Sequence, residues 1–447
     1  MKPSKMEVKI ISKELIKPSS PTPSHLQKMT LSFLDQNSSP NTIPALLFYR
    51  APPDTAAPFN ITRLKTALSE TLTCFYPLAG RYKTLGTISC NDEGVPFIEA
   101  RVNCPISSVI SSPSSSNVDF LSFYPPGREN LKKSGIHLSI QVNVCTCGGF
   151  VIGWYHTHKV TDGISTATFF RYWAALVTQR YEDAGQAKPD FSSSVTYFPP
   201  LPGKDKPVTP ELELHEPKGM EKSSNVVRSF VFKNGAITKL KAKSVSDQVP
   251  NPSRFEAVSG FLWKQILLAA STKEGRSIMG VLLDLRSRTD PPMPKGSMGN
   301  LVETAFVKAE TRAELPELVS EIRETMTEMK KVVAGYQSDK REAAKEKHWR
   351  GFIKAYMECK RNNVYLLTSW CKASGFSDVD FGFGKPVWIV PVDSKINPIN
   401  YLKDMIILTE FGDLDGGGIE AWLFLEEEHI KFLEFNHEFL DFASPNF

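Results

Sequence analysis

The sequence contains no run of about 20 apolar residues, the length a helix needs to cross a bilayer. It also has little excess charge, since 53 Lys and Arg face 49 Asp and Glu and leave a net charge of +4. Proteins that bind duplex nucleic acid neutralise many phosphates, so this balance argues against that class, while a small anionic ligand is compatible with it. The first 17 residues are interrupted by charges and lack the apolar segment of a secretory signal. We therefore expect a cytoplasmic protein that engages neither nucleic acid nor a membrane.

Cysteine and histidine are too few and too scattered to predict a metal site. The seven cysteines are an odd number without repeated CxxC spacing, which indicates reduced thiols. His156 and His158 form an HxH pair, and with Asp162 they raise the alternative of a metallohydrolase. An HxHxDH site would need an acidic group and an imidazole at Val160 and Thr161, and no other histidine cluster completes a three-ligand shell. We therefore expect no bound metal.

The chain length predicts two domains, because 447 residues exceed one ordinary hydrophobic core. A proline-rich stretch from Tyr197 to Lys222 shows almost no apolar periodicity, as linkers do. The predicted boundaries are an N-terminal domain at 1–196, a linker at 197–224 and a C-terminal domain at 225–447. Both parts mix helix and strand patterns, which favours an α/β sandwich in each. Helices are predicted around 64–75, 255–269 and 315–329, and strands around 281–285, 387–390 and 419–425. Ser253 is a candidate N-cap of the second helix.

The most informative local pattern surrounds His158. The run Phe150 to Tyr155 is apolar, β-branched and aromatic, which predicts a buried strand. Ala167, Phe170, Ala174 and Val177 recur at helical spacing and predict a helix that begins near Ile164 or Ser165. His158 then lies at a strand-to-helix turn, where a side chain reaches a cleft from a rigid backbone.

His158, Asp162 and Gly163 match an HxxxDG signature, and other motifs accompany it in order along the chain. They are Phe75-Tyr76-Pro77-Leu78-Ala79-Gly80-Arg81, Asp284-Leu285-Arg286-Ser287-Arg288, Gly299-Asn300, Thr368-Ser369-Trp370 and Asp380-Phe381-Gly382-Phe383-Gly384. Together they resemble the plant BAHD acyltransferases, which move an acyl group from coenzyme A to an alcohol or amine. The segments 13–23 and 33–36 resemble the branch that contains vinorine synthase, other alkaloid acetyltransferases, alcohol acyltransferases and acylsugar acyltransferases. Phe383 departs from the pattern, since the family usually has tryptophan there, and we expect a repacked core contact.

The resemblance implies a fold and a reaction. The fold is α/β, with two chloramphenicol-acetyltransferase-like sandwich domains and a channel at their interface that holds His158 midway. A hydroxyl is a poor nucleophile at neutral pH, so its attack on a thioester needs a base of near-neutral pKa, which suits histidine. We expect His158 to take the acceptor's proton while the acceptor oxygen attacks the thioester directly, without a covalent acyl-enzyme.

Other residues receive expected roles from the resemblance. Thr368 and Trp370 are candidates for the oxyanion contact, although Trp370 is equally consistent with a core residue. Ser253, Arg288 and Asn300 are candidate coenzyme A contacts in the second domain. Asp162 either orients the imidazole or forms a structural ion pair with an arginine, and we favour the ion pair. Asp380, Gly382 and Gly384 are expected to be structural, like Gly163, with Arg286 or Arg288 as the partner of Asp380. His156 is either a packed ring or, by its strand parity with His158, a residue that faces the acceptor.

We therefore predict a monomeric acyl-CoA-dependent O-acyltransferase, most simply an acetyltransferase, whose acceptor is the hydroxyl of a plant specialised metabolite such as an alkaloid. Acyl-CoA enters as a co-substrate, and no cofactor is permanently bound. The open alternatives are an acylsugar or simple-alcohol ester-forming enzyme, an N-acyltransferase, and a catalytically silent binding protein of the same fold.

Overall fold

The computed structural model describes residues 6–38, 42–51, 60–82, 84–111, 119–203, 225–270, 275–358, 363–371, 375–391, 404–412 and 417–446. The chain divides into two compact units. The first comprises Met1–His215, Pro294–Leu301 and Lys372–Pro398, and the second comprises Glu216–Met293, Val302–Cys371 and Ile399–Phe447. Each unit is built on its own mixed β-sheet with helices, which confirms the predicted α/β class. Within the described ranges, no helix combines the length and apolarity of a membrane span.

The first unit is organised by a sheet with strand order β1-β6-β7-β8-β3-β13, beside a small sheet ordered β2-β5-β4. The strands are β1 (Val8–Ile16), β2 (Lys28–Thr30), β3 (Thr42–Tyr49), β4 (Arg81–Tyr82), β5 (Thr87–Ser89), β6 (Val95–Val102), β7 (Leu138–Cys145), β8 (Phe150–Thr157) and β13 (Trp388–Val390). The helices are α1 (Phe33–Gln36), α2 (Ile61–Cys74), α3 (Ile106–Ile110), α4 (Arg128–Ser134), α5 (Gly163–Val177), α6 (Tyr181–Gln186) and α7 (Ser193–Tyr197).

The strand β8 and the helix α5 together position the predicted base. Every residue of β8 is buried, as expected for an apolar and aromatic strand that lies inside the sheet between β7 and β3. Trp154 of β8 packs against Phe170 of α5, with ring centroids 4.5 Å apart. The predicted apolar stripe of α5, from Ala167 to Val177, is buried as expected. The predicted strand and helix are therefore confirmed, and the turn between them carries His158.

The second unit has a sheet with strand order β11-β10-β12-β14-β15-β9-β16. Its strands are β9 (Asn225–Lys233), β10 (Arg276–Asp284), β11 (Val302–Glu310), β12 (Val364–Ser369), β14 (Asp404–Phe411), β15 (Gly418–Glu426) and β16 (Ser444–Pro445). Its helices are α8 (Asn234–Lys243), α9 (Arg254–Ala269), α10 (Leu315–Tyr336), α11 (Arg341–Glu358), α12 (Glu427–Phe435) and α13 (His437–Leu440). The helices α9 and α10 approach closely, since a Cβ on Gly260 would lie 2.8 Å from Val319. Glycine permits this close packing.

Two segments of the second half of the sequence belong to the first unit, and here the predicted division is wrong. The run Asp380–Gly384 and residue Asn300 were assigned to the C-terminal domain. Instead, β13 pairs antiparallel with β3, and the Tyr49 hydroxyl donates to the carbonyl oxygen of Val379 at 3.0 Å. The chain returns to the first sheet because β3 has an open edge that β13 satisfies, and local periodicity does not reveal such a return.

The predicted linker at 197–224 is described only as far as residue 203, so the remainder of that prediction lies outside the described residues. The serine content of the segment 107–117 predicts a surface loop. The beginning of the segment instead forms the short helix α3. Residues 112–117 of that segment lie outside the described residues.

Candidate active site

His158 lies in the turn between β8 and α5, as predicted, and its ring is only partly exposed. Its Nδ1 atom lies 3.1 Å from the carbonyl oxygen of Thr161, three residues further along the turn. A carbonyl only accepts hydrogen bonds, so Nδ1 carries the proton and Nε2 keeps its lone pair. The turn therefore fixes the tautomer that a general base requires.

The electrostatic surroundings of His158 favour the neutral ring. Burial lowers the pKa of His158 below its ordinary value of 6.5. The Thr161 carbonyl, the nearby Asp162 carboxylate and the Asn300 side chain act in the opposite direction and limit this decrease. At neutral pH the imidazole is therefore uncharged and able to accept a proton.

Asp162 stabilises the turn through two backbone amides. It is the N-cap of α5, where Oδ1 accepts from the Ser165 amide at 2.8 Å, and Oδ2 accepts from the Leu301 amide at 3.0 Å. The carboxylate is almost completely buried, so both bonds form in a region of low polarity. This geometry agrees with a structural role, while the predicted ion pair with an arginine stays a prediction. Gly163 is the first residue of α5.

Asn300 is held beside His158 by the residues around α1. Its backbone amide donates to Asp35 Oδ1 at 2.7 Å, and its side-chain Nδ2 donates to Ser38 Oγ at 2.6 Å. Its amide oxygen is buried and has no hydrogen-bond donor among the described residues. The Asn300 side chain nevertheless raises the pKa of His158, because it favours the protonated ring. Asn300 was predicted to contact coenzyme A in the second domain, but it belongs to the first unit and lies beside the predicted base.

Asp35 is a functional-site residue that the sequence analysis did not identify. Ser32 and Asp35 form a capping box at the start of α1, and Asp35 is completely buried. Burial raises the pKa of Asp35, and its bonds to Ser32 and Asn300 oppose that change. The Ser32-x-x-Asp35 spacing is typical of a capping box and could have indicated the cap, but no local pattern indicates that Asp35 contacts Asn300.

Substitutions of Asn300 are expected to move the acid limb of the pH–rate profile in opposite directions. The Asn300 side chain raises the pKa of His158, so Asn300→Ala should shift the midpoint to lower pH. Asn300→Asp places a negative charge beside the ring and should shift the midpoint to higher pH. Measurement of kcat between about pH 5 and 8 tests both signs, because activity falls as the base becomes protonated. A shift of both variants in one direction would contradict this assignment of Asn300.

His156 is completely packed, two residues before His158. Its ring centroid lies 5.6 Å from that of His158, with the planes at 77°. Its Nδ1 accepts a hydrogen bond from the Trp154 indole at 3.1 Å. Burial, together with the neighbouring His158 ring, holds the pKa of His156 well below its ordinary value. The buried ring agrees with the expectation of a packed histidine, and a role towards the acceptor stays a prediction.

The Asp380–Gly384 run forms a tight turn in the first unit. Gly382 and Gly384 have φ angles of 92° and 79°, which favour glycine. Asp380 Oδ1 accepts from the Gly382 amide at 2.8 Å, and Oδ2 lies 3.4 Å from Arg180. Arg180 is thus the described partner of Asp380, and the expectation of Arg286 or Arg288 is corrected. The reason is that this run returned to the first unit, where α5 ends near Arg180.

The aromatic residues of this turn pack into the first unit. Phe383 contacts Phe150 edge-on, with ring centroids 5.0 Å apart, and Phe381 contacts Trp173 at 4.9 Å. The phenylalanine at the usual tryptophan position therefore keeps a core contact.

The remaining predicted site residues lie in the second unit. Thr368 is near the end of β12 and partly exposed, and Trp370 follows with its backbone amide 2.7 Å from the Leu408 carbonyl oxygen. Ser253 caps α9 in a capping box with Glu256, as its position before the helix predicted. Their proposed contacts with substrate stay predictions.

Two arginines follow β10 and converge on Asp284. Arg286 pairs with the Asp284 carboxylate at 2.6 Å, and Arg288 donates to the Asp284 carbonyl oxygen at 2.7 Å. Burial lowers the pKa of Arg288, and the Asp284 charge opposes that change. Over the described part of the chain, no group of three or more His, Cys, Asp or Glu side chains is arranged to hold a metal ion.

Comparison with known proteins decides the family. The model described as the Transferase family matches residues 6–440, nearly the whole chain. The chain belongs to the BAHD acyltransferases. This BAHD acyltransferase is 32% identical over 455 residues to stemmadenine O-acetyltransferase of Catharanthus roseus, and the match covers 99% of each chain. It is 32% identical over 445 residues to vinorine synthase of Rauvolfia serpentina, covering 95% of each chain.

Solved structures agree with this assignment. A crystal structure of vinorine synthase matches the BAHD acyltransferase with a TM-score of 0.76 at 28% identity, covering 98% of this chain and 99% of the other. The structure of F. graminearum TRI101 complexed with coenzyme A and T-2 mycotoxin matches with a TM-score of 0.69 at 17% identity, covering 94% and 100%. The second likeness shows the fold alone. The family resemblance inferred from the motifs is confirmed, and the protein is an enzyme that transfers acyl groups other than aminoacyl groups.

Proposed function

We propose that this enzyme is an acetyl-CoA-dependent O-acetyltransferase whose acceptor is a hydroxyl group of an alkaloid. The observation that carries the proposal is the His158 tautomer, with the Nδ1 proton held by the Thr161 carbonyl and a neutral Nε2 on a partly exposed ring. An uncharged base of this kind suits the deprotonation of an alcohol during attack on a thioester.

The proposed reaction needs one base and no covalent enzyme intermediate. His158 Nε2 removes the hydroxyl proton while the acceptor oxygen bonds to the thioester carbonyl carbon. The resulting tetrahedral intermediate collapses, the carbon–sulfur bond breaks, and the coenzyme A thiolate takes the proton from His158. General-base catalysis is typically worth about 10²–10⁴-fold, so positioning and oxyanion stabilisation supply the remaining acceleration. Thr368 and Trp370 are our candidates for the oxyanion contact.

The second unit supplies the proposed coenzyme A contacts. Ser253 is the N-cap of α9, a helix of 16 residues whose N-terminal end favours negatively charged groups such as phosphates. Arg288 carries a guanidinium whose two-pronged geometry suits phosphate. Asn300 is now proposed to act on His158 instead. The channel, the monomeric state and the cytoplasmic location stay predictions from the sequence.

The acceptor and the acyl group are the finer parts of the proposal. Similarity to stemmadenine O-acetyltransferase makes O-acetylation of an alkaloid the first reaction to test. Acylsugars, simple alcohols and amines remain alternative acceptors, because small differences in pocket shape change preference by only about 1–3 kcal/mol.

Thiol release from acetyl-CoA in the presence of mixed acceptors tests the proposal. We expect acceptor-dependent release of free coenzyme A, with a labelled acetyl ester identified by mass when an extract of the source tissue is supplied. Ester formation by the wild type that is lost in His158→Ala supports the assignment. Absence of transfer to every hydroxyl acceptor, with intact acetyl-CoA binding, would favour the silent binding protein. Inhibition by a chelator would instead reopen the metallohydrolase interpretation.

A further inference from the structure

The tautomer of His156 is fixed by a neighbour that can only donate. The Trp154 indole N–H points at Nδ1 of His156 over 3.1 Å. An indole nitrogen is never an acceptor, so Nδ1 must carry a lone pair and the proton must lie on Nε2. Protonation of the ring would bring two donors face to face. His156 is therefore held as a neutral ring with an Nε2–H donor.

That Nε2–H has no acceptor among the residues that the structure describes. His156 is 3% exposed, and its Nε2 atom is buried without a hydrogen-bond partner. Buried donors are nearly always paired, so an unpaired one next to a reactive residue needs an explanation. Burial and the adjacent His158 lower the pKa of His156, which agrees with the neutral form.

The position of the ring indicates what the donor serves. His156 and His158 have the same parity along β8 and its continuation, and their centroids are 5.6 Å apart. His158 offers a lone pair on Nε2, and His156 offers a proton on Nε2. One molecule that contacts both rings must therefore present a hydroxyl hydrogen and, a few ångströms away, an oxygen or nitrogen that accepts a hydrogen bond.

We infer that His156 is a specificity-determining residue. The bound acyl acceptor displaces the side chains that cover Nε2 in this structure, and a second heteroatom of the acceptor, close to the hydroxyl that reacts, accepts a hydrogen bond from the Nε2–H. The inference rests on the proposed function and deepens it, because it names the substrate class. That class comprises alcohols with a neighbouring ether, carbonyl or amine acceptor, and simple alcohols are poor members. A site that contains an unpaired donor discriminates strongly against ligands that leave it unpaired.

The first test determines the tautomer of His156 and requires no acyl transfer. Two-bond ¹H–¹⁵N correlation spectra of ¹⁵N-histidine-labelled protein distinguish the Nδ1–H, Nε2–H and cationic forms, with His156→Phe used to assign the signal. We expect His156 to remain the neutral Nε2–H form from about pH 6 to 8. An Nδ1–H or cationic His156 at pH 7 would overturn the inference.

The second test compares two acceptors that differ in one heteroatom. The probes are cis-2-methoxycyclohexanol and cyclohexanol, titrated by chemical shift and assayed for acetyl transfer. The wild type should bind the methoxy alcohol more tightly, and His156→Phe should lose about 10-fold or more of that preference while its affinity for cyclohexanol changes little. The change in chemical shift on binding of the methoxy alcohol should be largest at His156 Nε2.

A matched control separates this effect from general damage. His137 is also a buried histidine with an unpartnered Nε2, but its ring lies beside Tyr82 with centroids 5.4 Å apart. His137→Phe should keep the wild-type preference, and thermal unfolding confirms that both variants fold.

Two results of the acceptor comparison would overturn the inference, and a third would separate it from the proposed function. An equal loss for both alcohols in His156→Phe, or a wild type that binds the methoxy alcohol no better than cyclohexanol, overturns the inference. If the preference in binding is present but no acetyl transfer occurs, the proposed function fails while the role of His156 in recognition stands.

Discussion

Replacement of His158 by alanine should lower kcat by about 10²–10⁴-fold, with little change in the affinity for acetyl-CoA. The variant loses the proposed proton acceptor for the substrate hydroxyl, while the proposed coenzyme A contacts, Ser253 and Arg288, lie in the second unit. Initial rates of thiol release with a saturating acceptor give kcat, and calorimetry gives the affinity for acetyl-CoA.

His158→Gln is a matched control for His158→Ala. His158→Gln keeps a hydrogen-bonding side chain of similar reach but cannot act as a base near neutral pH, so it should be as slow as the alanine variant. His137→Phe, which changes another buried histidine, should keep normal turnover. If His158→Ala turns over at the wild-type rate, the base assignment is wrong, whatever the acceptor is.

Asp162→Ala should show the largest effect on stability. The substitution removes the N-cap of α5 and leaves the buried Leu301 amide without its acceptor. The two losses together should decrease the free energy of unfolding by about 2–4 kcal/mol. Activity should fall as well, because Thr161, which holds the His158 tautomer, immediately precedes Asp162. Denaturant unfolding measures the first effect, and kcat at a temperature where the variant is folded measures the second.

Asp162→Ser divides the two contributions. Serine is a good N-cap but too short to replace the bond to Leu301, so this variant should recover the cap and lose only the second interaction. Its stability should therefore lie between those of the wild type and Asp162→Ala. An Asp162→Ala protein as stable as the wild type, with kcat lowered as much as in His158→Ala, would instead indicate a direct catalytic role.

The sequence predicted the parts of the site that are local. The buried strand, the stripe of α5 and the Ser253 cap follow from periodicity and capping rules, because each depends on neighbours a few residues apart. The family came from motifs spread along the whole chain. The tautomer of His158 was not predictable, since the spacing HxxxD suggests a carboxylate partner and the turn supplies a carbonyl instead.

The incorrect predictions share a physical cause. Asn300 and Asp380 lie far along the sequence from the residues they contact, namely Asp35 and Arg180. Nothing in the local pattern around an asparagine indicates which buried carboxylate its backbone amide will meet. The partner of Asp380 was expected in the motif from Asp284 to Arg288, because that motif contains two arginines. The actual partner is Arg180, because the chain returns to the first unit before Asp380.

The return of β13 to the edge of β3 means that this enzyme cannot be divided at its proline-rich segment. A fragment that ends at residue 203 would contain His158 but would have lost the strand that closes β3 and the amides that hold Asp35 and Asp162. The unpaired edge of β3 would then pair with other chains, and the fragment would precipitate. A chimera that joins the first half of one family member to the second half of another would therefore combine residues around His158 that do not fit each other. Acceptor preference should instead be changed by substitutions within an intact chain.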